Sequence, residues 1–262
     1  MIKTSKFVKK KQLAYRYFIQ LSFLGTNFHG WQKQLNASSI QESIENALSI
    51  IVKTPIEIIG AGRTDTGVHA KYYIAHFDVE NIIAEPEKLV YQLNCILPFD
   101  IAIQKIYAVK PTAHARFDAI SRTYSYKVSL VKDPFEKEFA LFLYNKPNMA
   151  LFSEACTILL DYNDFTSFSK LHSDNKTNLC KIFEAKWDLE NNDLIFTIKA
   201  DRFLRNMVRA IVGTILEVGL GKMTIQEFKN VIESKNRNLA GTSVPAKGLF
   251  LTYVEYPDSI FK

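Results

Sequence analysis

The sequence predicts an α+β fold built as two sheet-and-helix halves, and three observations predict it. Stretches with the two-residue alternation of strands recur along the whole chain, helical spacing recurs between them, and the two follow one another without strict βαβ alternation. With 262 residues and 47% hydrophobic composition the chain buries a sizeable core, enough for one large domain or two smaller ones packed together. The boundary falls near 108–115, which gives an N-terminal half of 1–110 and a C-terminal half of 111–262.

Tyr15, Tyr17, Ile19, Leu21 and Phe23 alternate with more polar neighbours, so a strand runs near 14–24 until Gly25 and Asn27 break it. SIQESIENALSIIVK, 39–53, pairs Ser39 with Glu42 as a capping box and sets Ile44, Leu48 and Ile51 at helical spacing before Pro55. IEIIG, 56–60, reads as a short buried strand; 72–79 and 101–109 read as further strands, with a helix over 85–95 between them. SRTYSYKVSLV, 121–131, puts Arg122, Tyr124, Tyr126, Val128 and Leu130 on one face of a strand. Pro147 opens a helix to about Leu160, and strands follow near 179–189 and 193–200. FLRNMVRAIVGTILEVG, 203–219, predicts one long helix with a continuous apolar stripe and with Arg205 and Arg209 side by side at its flank. A short helix at 224–233 and a strand at 248–256 close the chain.

The formal charge is +6, from 33 basic and 27 acidic residues, yet residues 1–41 hold Lys3, Lys6, Lys9, Lys10, Lys11, Arg16 and Lys33 and no acid. Such an arm suits a polyanion, because lysines that neutralise phosphates release counterions; a plain solvated tail is the alternative. No uninterrupted apolar run is long enough to span a bilayer, and Tyr17–Gly25 lacks the cleavage site of a signal peptide, so a cytoplasmic protein is expected. Cys95, Cys156 and Cys180 are an odd number at wide spacing, which fits neither a disulfide framework nor a CxxC metal site; three small buried residues are expected. His69 and His76 are too far apart for the helical zinc pattern.

The stretch most in need of a reason is GAGRTDTGVHA, 60–70. Glycines at 60, 62 and 67 let the backbone turn sharply and present Asp65 to a cleft. The simpler reading is a strand-end turn in which Asp65 caps backbone N–H groups. Arg63 beside it would hold the carboxylate ionised, suited to a base or a nucleophile and not to an acid. Asp65, Thr66 and Gly67 also spell the DTG of aspartic proteases. Those enzymes share one proton between two carboxylates; the chain has no second DTG or DSG, and the adjacent arginine opposes proton sharing.

AGRTDTGVHA resembles the catalytic signature of TruA-type tRNA pseudouridine synthases, close to AGRTDAGVHA, and departs from it at Thr66. GTNFHGWQKQ (25–34), HARFDA (114–119), RTYSY (122–126), FLRNMVRAIVGTILEVG (203–219) and AGTSVPAKGLFL (240–251) are similar to the family's other motifs in the same order. The resemblance implies the pseudouridine synthase fold, two ferredoxin-like halves sharing a mainly antiparallel sheet with a central cleft. It implies an isomerase that detaches uracil from the ribose of a uridine, turns it, and rejoins it through carbon, at positions 38, 39 and 40 of the tRNA anticodon stem-loop. Asp65 is then the catalytic carboxylate, Tyr124 the active-site tyrosine that stacks on the base, and Arg209 the partner of the aspartate. Arg63 is expected to displace the flipped base, His69 to touch the substrate, Arg205 to contact phosphate, and Leu249 to wall the pocket. Lys33, Arg116, Arg122 and Lys127 are candidates for contacts to the RNA backbone. No cofactor or metal is implied; the implied partners are tRNA and a second copy of the chain, as a homodimer. A protein that binds RNA on this fold without isomerising it is the alternative.

Overall fold

The computed structural model describes residues 15–170 and 177–261; the lysines at positions 3 to 11 lie outside the described residues. One mixed sheet runs through the protein, in the strand order β4 (Ile101–Ala108), β1 (Tyr15–Phe23), β3 (His69–Val79), β9 (Leu249–Glu255), β5 (Ser121–Ser129), β8 (Asp193–Ala200), β7 (Ile182–Glu190). Two short strands extend it: β2 (Ile58–Gly60) pairs with β3, and β6 (Leu141–Phe142) pairs with β5. The neighbours along this order are antiparallel except β3 and β9, which run parallel and pair only through His69 with Phe250 and Ala70 with Leu251. That short parallel contact joins the strands before Ala108 to those after Ser121.

Helices α1 (Ile40–Val52) and α2 (Pro86–Ile96) pack on the N-terminal strands. Ser39 caps α1 as expected, its hydroxyl accepting the Glu42 N–H at 3.2 Å, and Pro86 opens α2 where a missing N–H costs nothing. Helices α3 (Met149–Leu160), α4 (Met207–Gly219) and α5 (Ile225–Ser234) pack on the C-terminal strands. Asn148 caps α3, and Thr224 with Glu227 forms a complete capping box on α5.

Helix α4 differs from its expectation. It begins at Met207, four residues later than the apolar stripe suggests, because Asn206 adopts a left-handed backbone with φ of 65°. Phe203 to Asn206 are therefore an irregular entry to the helix, and Arg205 is not on it.

Each half lends apolar groups to the other's core. Val68, from the turn between β2 and β3, belongs to the C-terminal core, whereas Leu251 and Val254 of β9 belong to the N-terminal one. Tyr124 packs against both. A smaller cluster of Phe18, Ile74, Val109, Ala113, Ala115 and Ile260 lies apart from these two. Of the cysteines, Cys156 and Cys180 are buried as expected but Cys95 is exposed, since it sits on the outer side of α2.

Candidate active site

The turn that carries Asp65 is residues 61–68, between β2 and β3. Its shape is imposed by the loop 25–34, packed beneath it. A Cβ on Gly30, whose φ is 89°, would lie 2.3 Å from the Thr64 carbonyl oxygen, and one on Gly25 would lie 2.0 Å from that of Val68. Only glycine permits either approach. Trp31 stacks on Tyr73 with ring centroids 4.1 Å apart, and the Tyr73 hydroxyl donates to the Gly62 carbonyl. Gly67, with φ of 78°, turns the chain back toward β3, and the Val68 N–H donates to the Asp65 carbonyl at 3.2 Å.

The Asp65 carboxylate is 25% exposed and faces two guanidiniums. Arg205 Nε lies 3.6 Å from Oδ1 and Arg209 Nη1 lies 3.7 Å from Oδ2. Both distances are ion-pair contacts longer than a hydrogen bond, and among the described residues neither oxygen accepts one. The simpler reading, in which Asp65 caps its own turn through its side chain, is therefore not what the structure shows. Both oxygens instead face positive charge, one guanidinium each.

The two arginines are held differently. Arg209, in the first turn of α4 and 21% exposed, donates through Nε to the Val244 carbonyl at 2.7 Å. Arg205, 61% exposed in the irregular entry to α4, has no such anchor among the described residues. Arg63, expected to hold the carboxylate ionised, makes no ion pair with it among the described residues and is exposed; the guanidiniums within ion-pair distance of Asp65 are those of Arg205 and Arg209.

Tyr124, on β5, is half-buried beside Phe203, whose ring stands edge-on to it at 5.1 Å and 88°. Burial pushes its phenol up to about 12, opposed by the Arg122 charge and reinforced by that of Asp65. At neutral pH the hydroxyl is protonated, a donor and not a base. Tyr126 two residues on is wholly buried, its hydroxyl donating to the Pro245 carbonyl at 2.9 Å, and is a core residue as its strand face suggests. Leu249 is buried at the start of β9.

Five of the expected substrate contacts need correction or qualification. His69 is 0% exposed: its Nδ1 accepts the Gly25 N–H at 3.0 Å and its ring stacks on Phe250, so it braces the turn and does not touch substrate. Burial lowers its pKa, which keeps Nδ1 an acceptor. Lys127 is engaged by Glu136 at 2.9 Å and Asp193 at 2.8 Å, both of which neutralise it. Arg122 is turned inward, donating to four carbonyls, and is not available to phosphate. Lys33 lies 3.7 Å from Glu45 and 3.9 Å from Glu42 but is half exposed, and Arg116 is exposed over the Phe117 ring at 5.5 Å. These last two remain open to solvent. The sequence reading missed Phe203, because it lay inside an apolar run read as helix, and the bracing pair Trp31 and Tyr73.

Among the described residues no three His, Cys, Asp or Glu side chains are grouped to hold a metal, and no helix is long and apolar enough to cross a membrane. Residues 20–118 and 155–257 match the family model described as tRNA pseudouridine synthase. The chain is 57% identical to the tRNA pseudouridine synthase A of Parabacteroides distasonis, over 94% of this chain and 98% of that one. It is 52% identical to that of Bacteroides fragilis over 94% and 98%, and 42% identical to that of Clostridium acetobutylicum over 91% and 98%. On this match over most of its length, the chain belongs to the tRNA pseudouridine synthase family, whose members are isomerases.

Proposed function

We propose that the protein isomerises uridine to pseudouridine in tRNA, at positions 38, 39 and 40 of the anticodon stem-loop, with Asp65 as the catalytic carboxylate. The observation that carries the chemistry is the Asp65 carboxylate itself, which accepts no hydrogen bond among the described residues and is flanked by one guanidinium per oxygen. The target uridine leaves its stack, at a cost of a few kcal/mol, and Arg63, exposed at the lip of the turn, fills the gap. The base enters the cleft between the halves 1–110 and 111–262, where Tyr124 supplies a π-face. Asp65 then either adds to C1′ or takes the C2′ proton; both routes free uracil and both need the ionised form. The base turns, C5 joins C1′, and the C5 proton is lost to solvent. Arg205, Lys33 and Arg116 offer contacts to the RNA backbone, and Leu249 backs the pocket wall. The enzyme works as a homodimer in the cytoplasm, without metal or cofactor.

Loss of the C5 proton makes the test direct. Tritium release from tRNA carrying 5-labelled uridine should be abolished in Asp65→Ala while tRNA binding persists. Release that survives the substitution sinks the role of Asp65, and a wild type that binds tRNA without release identifies a binding protein. Sequencing pseudouridines in tRNA from cells lacking the protein checks the three positions.

A further inference from the structure

Arg122 opens β5 and is largely buried, yet no carboxylate lies within ion-pair distance of it among the described residues. Its terminal N–H groups are committed to carbonyl oxygens instead. Nη1 donates to Ala119 at 3.1 Å and Asp201 at 2.8 Å; Nη2 donates to Ala61 at 3.1 Å and Arg116 at 2.5 Å. The four carbonyls belong to three segments distant in sequence: the turn that leads to Asp65, the loop 114–119, and the stretch that runs from Asp201 through Arg205 into α4. One planar group therefore ties the segment bearing the carboxylate to the segment bearing its two arginines. A desolvated cation is costly when the nearest carboxylate charge, that of Asp201, acts from beyond ion-pair distance, and mere packing is served as well by an apolar residue of similar volume.

We propose that Arg122 is a positioning residue, a clamp on backbone carbonyls that sets the spacing between the Asp65 turn and the Arg205–Arg209 segment. The inference rests on the reading of the site as a pseudouridine synthase centre and adds a residue that does not touch substrate. Lysine cannot take its place, because its three donors diverge from a single point and do not span three segments, whereas the guanidinium fork does.

The test compares full-length wild type with Arg122→Lys in single-turnover tritium release, in tRNA binding across a salt series, and in amide exchange. A displacement of a reacting group by about 1 Å costs on the order of 10²-fold, so kcat should fall by about that factor with the KM for tRNA and the salt slope unchanged. Amides of 60–65 and 201–206 should exchange faster while those of the central strands do not. In Arg122→Ala, millimolar methylguanidinium should restore kcat at least in part. A raised KM and a salt slope smaller by about one, with kcat intact, would mark a phosphate contact and overturn the clamp. So would a fall in kcat with exchange in both segments unaltered. Should Arg122→Lys not fold, recovery of folding and kcat together in methylguanidinium supports the clamp, and failure to recover overturns it. A wild type inactive in tritium release overturns the functional reading instead, and the clamp is then judged by exchange alone.

Discussion

The turn bearing Asp65 and the segment 201–209 opposite it meet at one carboxylate but are held in place by a different balance of forces. The turn is braced by close backbone contact and stacked rings, with Gly25 and Gly30 against its carbonyls and Tyr73 beneath Gly62. The opposing segment is held by directed polar bonds, Arg209 to Val244 and Arg122 to Asp201, and ends in an arginine open to water. Contact by shape fixes a position within tenths of an ångström, because packed atoms have nowhere to go. Polar anchoring fixes direction and leaves Arg205 free to exchange Asp65 for another anion. The difference suggests a division of labour in which the carboxylate stays still and the positive charge around it adjusts.

Substitutions separate the two modes. The largest effect is expected at Gly30→Val, where a positive φ and a carbonyl 2.3 Å from the new Cβ act together. Stability should drop by about 3 to 4 kcal/mol, read by urea unfolding, and kcat should fall with it. A stable, active Gly30→Val would show that the turn is not held by shape. Next, Arg209→Met should cost about 10²-fold in kcat, whereas Arg205→Met should cost about tenfold or less and act mainly on the salt dependence of tRNA binding. Equal losses in single-turnover assays would erase the distinction between an anchored and a free arginine.

Acid offers a third probe. His69 and His76, both on β3, each accept a backbone N–H at Nδ1, from Gly25 and from Ala115, and so must be neutral in the folded protein. Burial lowers both, and His76 falls to about 4 with the Arg16 and His114 charges adding to the effect against Asp78 and Asp118. A folded-state pKa below the usual 6.5 means that the unfolded chain binds the proton better. The contribution is therefore complete above about pH 6.5 and is lost as pH falls toward 4. For His76 the loss should be about 2 to 3 kcal/mol across that window, and His76→Gln should flatten it in denaturant titrations at stepped pH. The smallest effect belongs to the other side. Tyr126→Phe frees the Pro245 carbonyl next to the anchor of Arg209 and should cost about 1 kcal/mol with kcat unchanged.

Much of the fold is legible in the sequence because strand alternation and helix caps are local. Ser39 marks a helix start by a side chain reaching a backbone N–H three residues on, and it does so in the structure. The start of α4 is not legible, because Phe203 and Leu204 continue the apolar stripe while the left-handed turn at Asn206 carries no proline or glycine to announce it. Asp65 is legible from its glycine-rich surroundings and its motif. The partners of the long cations are not. Strand spacing says which face Arg122 occupies, but the carbonyls it finds come from residues 61, 116, 119 and 201, brought together only by the finished fold. The same holds for Lys127, whose acids lie 9 and 66 residues away in positions 136 and 193.

The order of strands carries a consequence in time. β9 is the last strand made, yet it sits in the middle of the sheet, between β3 and β5, and it is the strand that joins the two halves. Until residue 249 is added, the strand that joins β3 to β5 is missing from the chain. A chain cut short there would hold Asp65, Tyr124 and Arg209 but lack the strand that lies between β3 and β5.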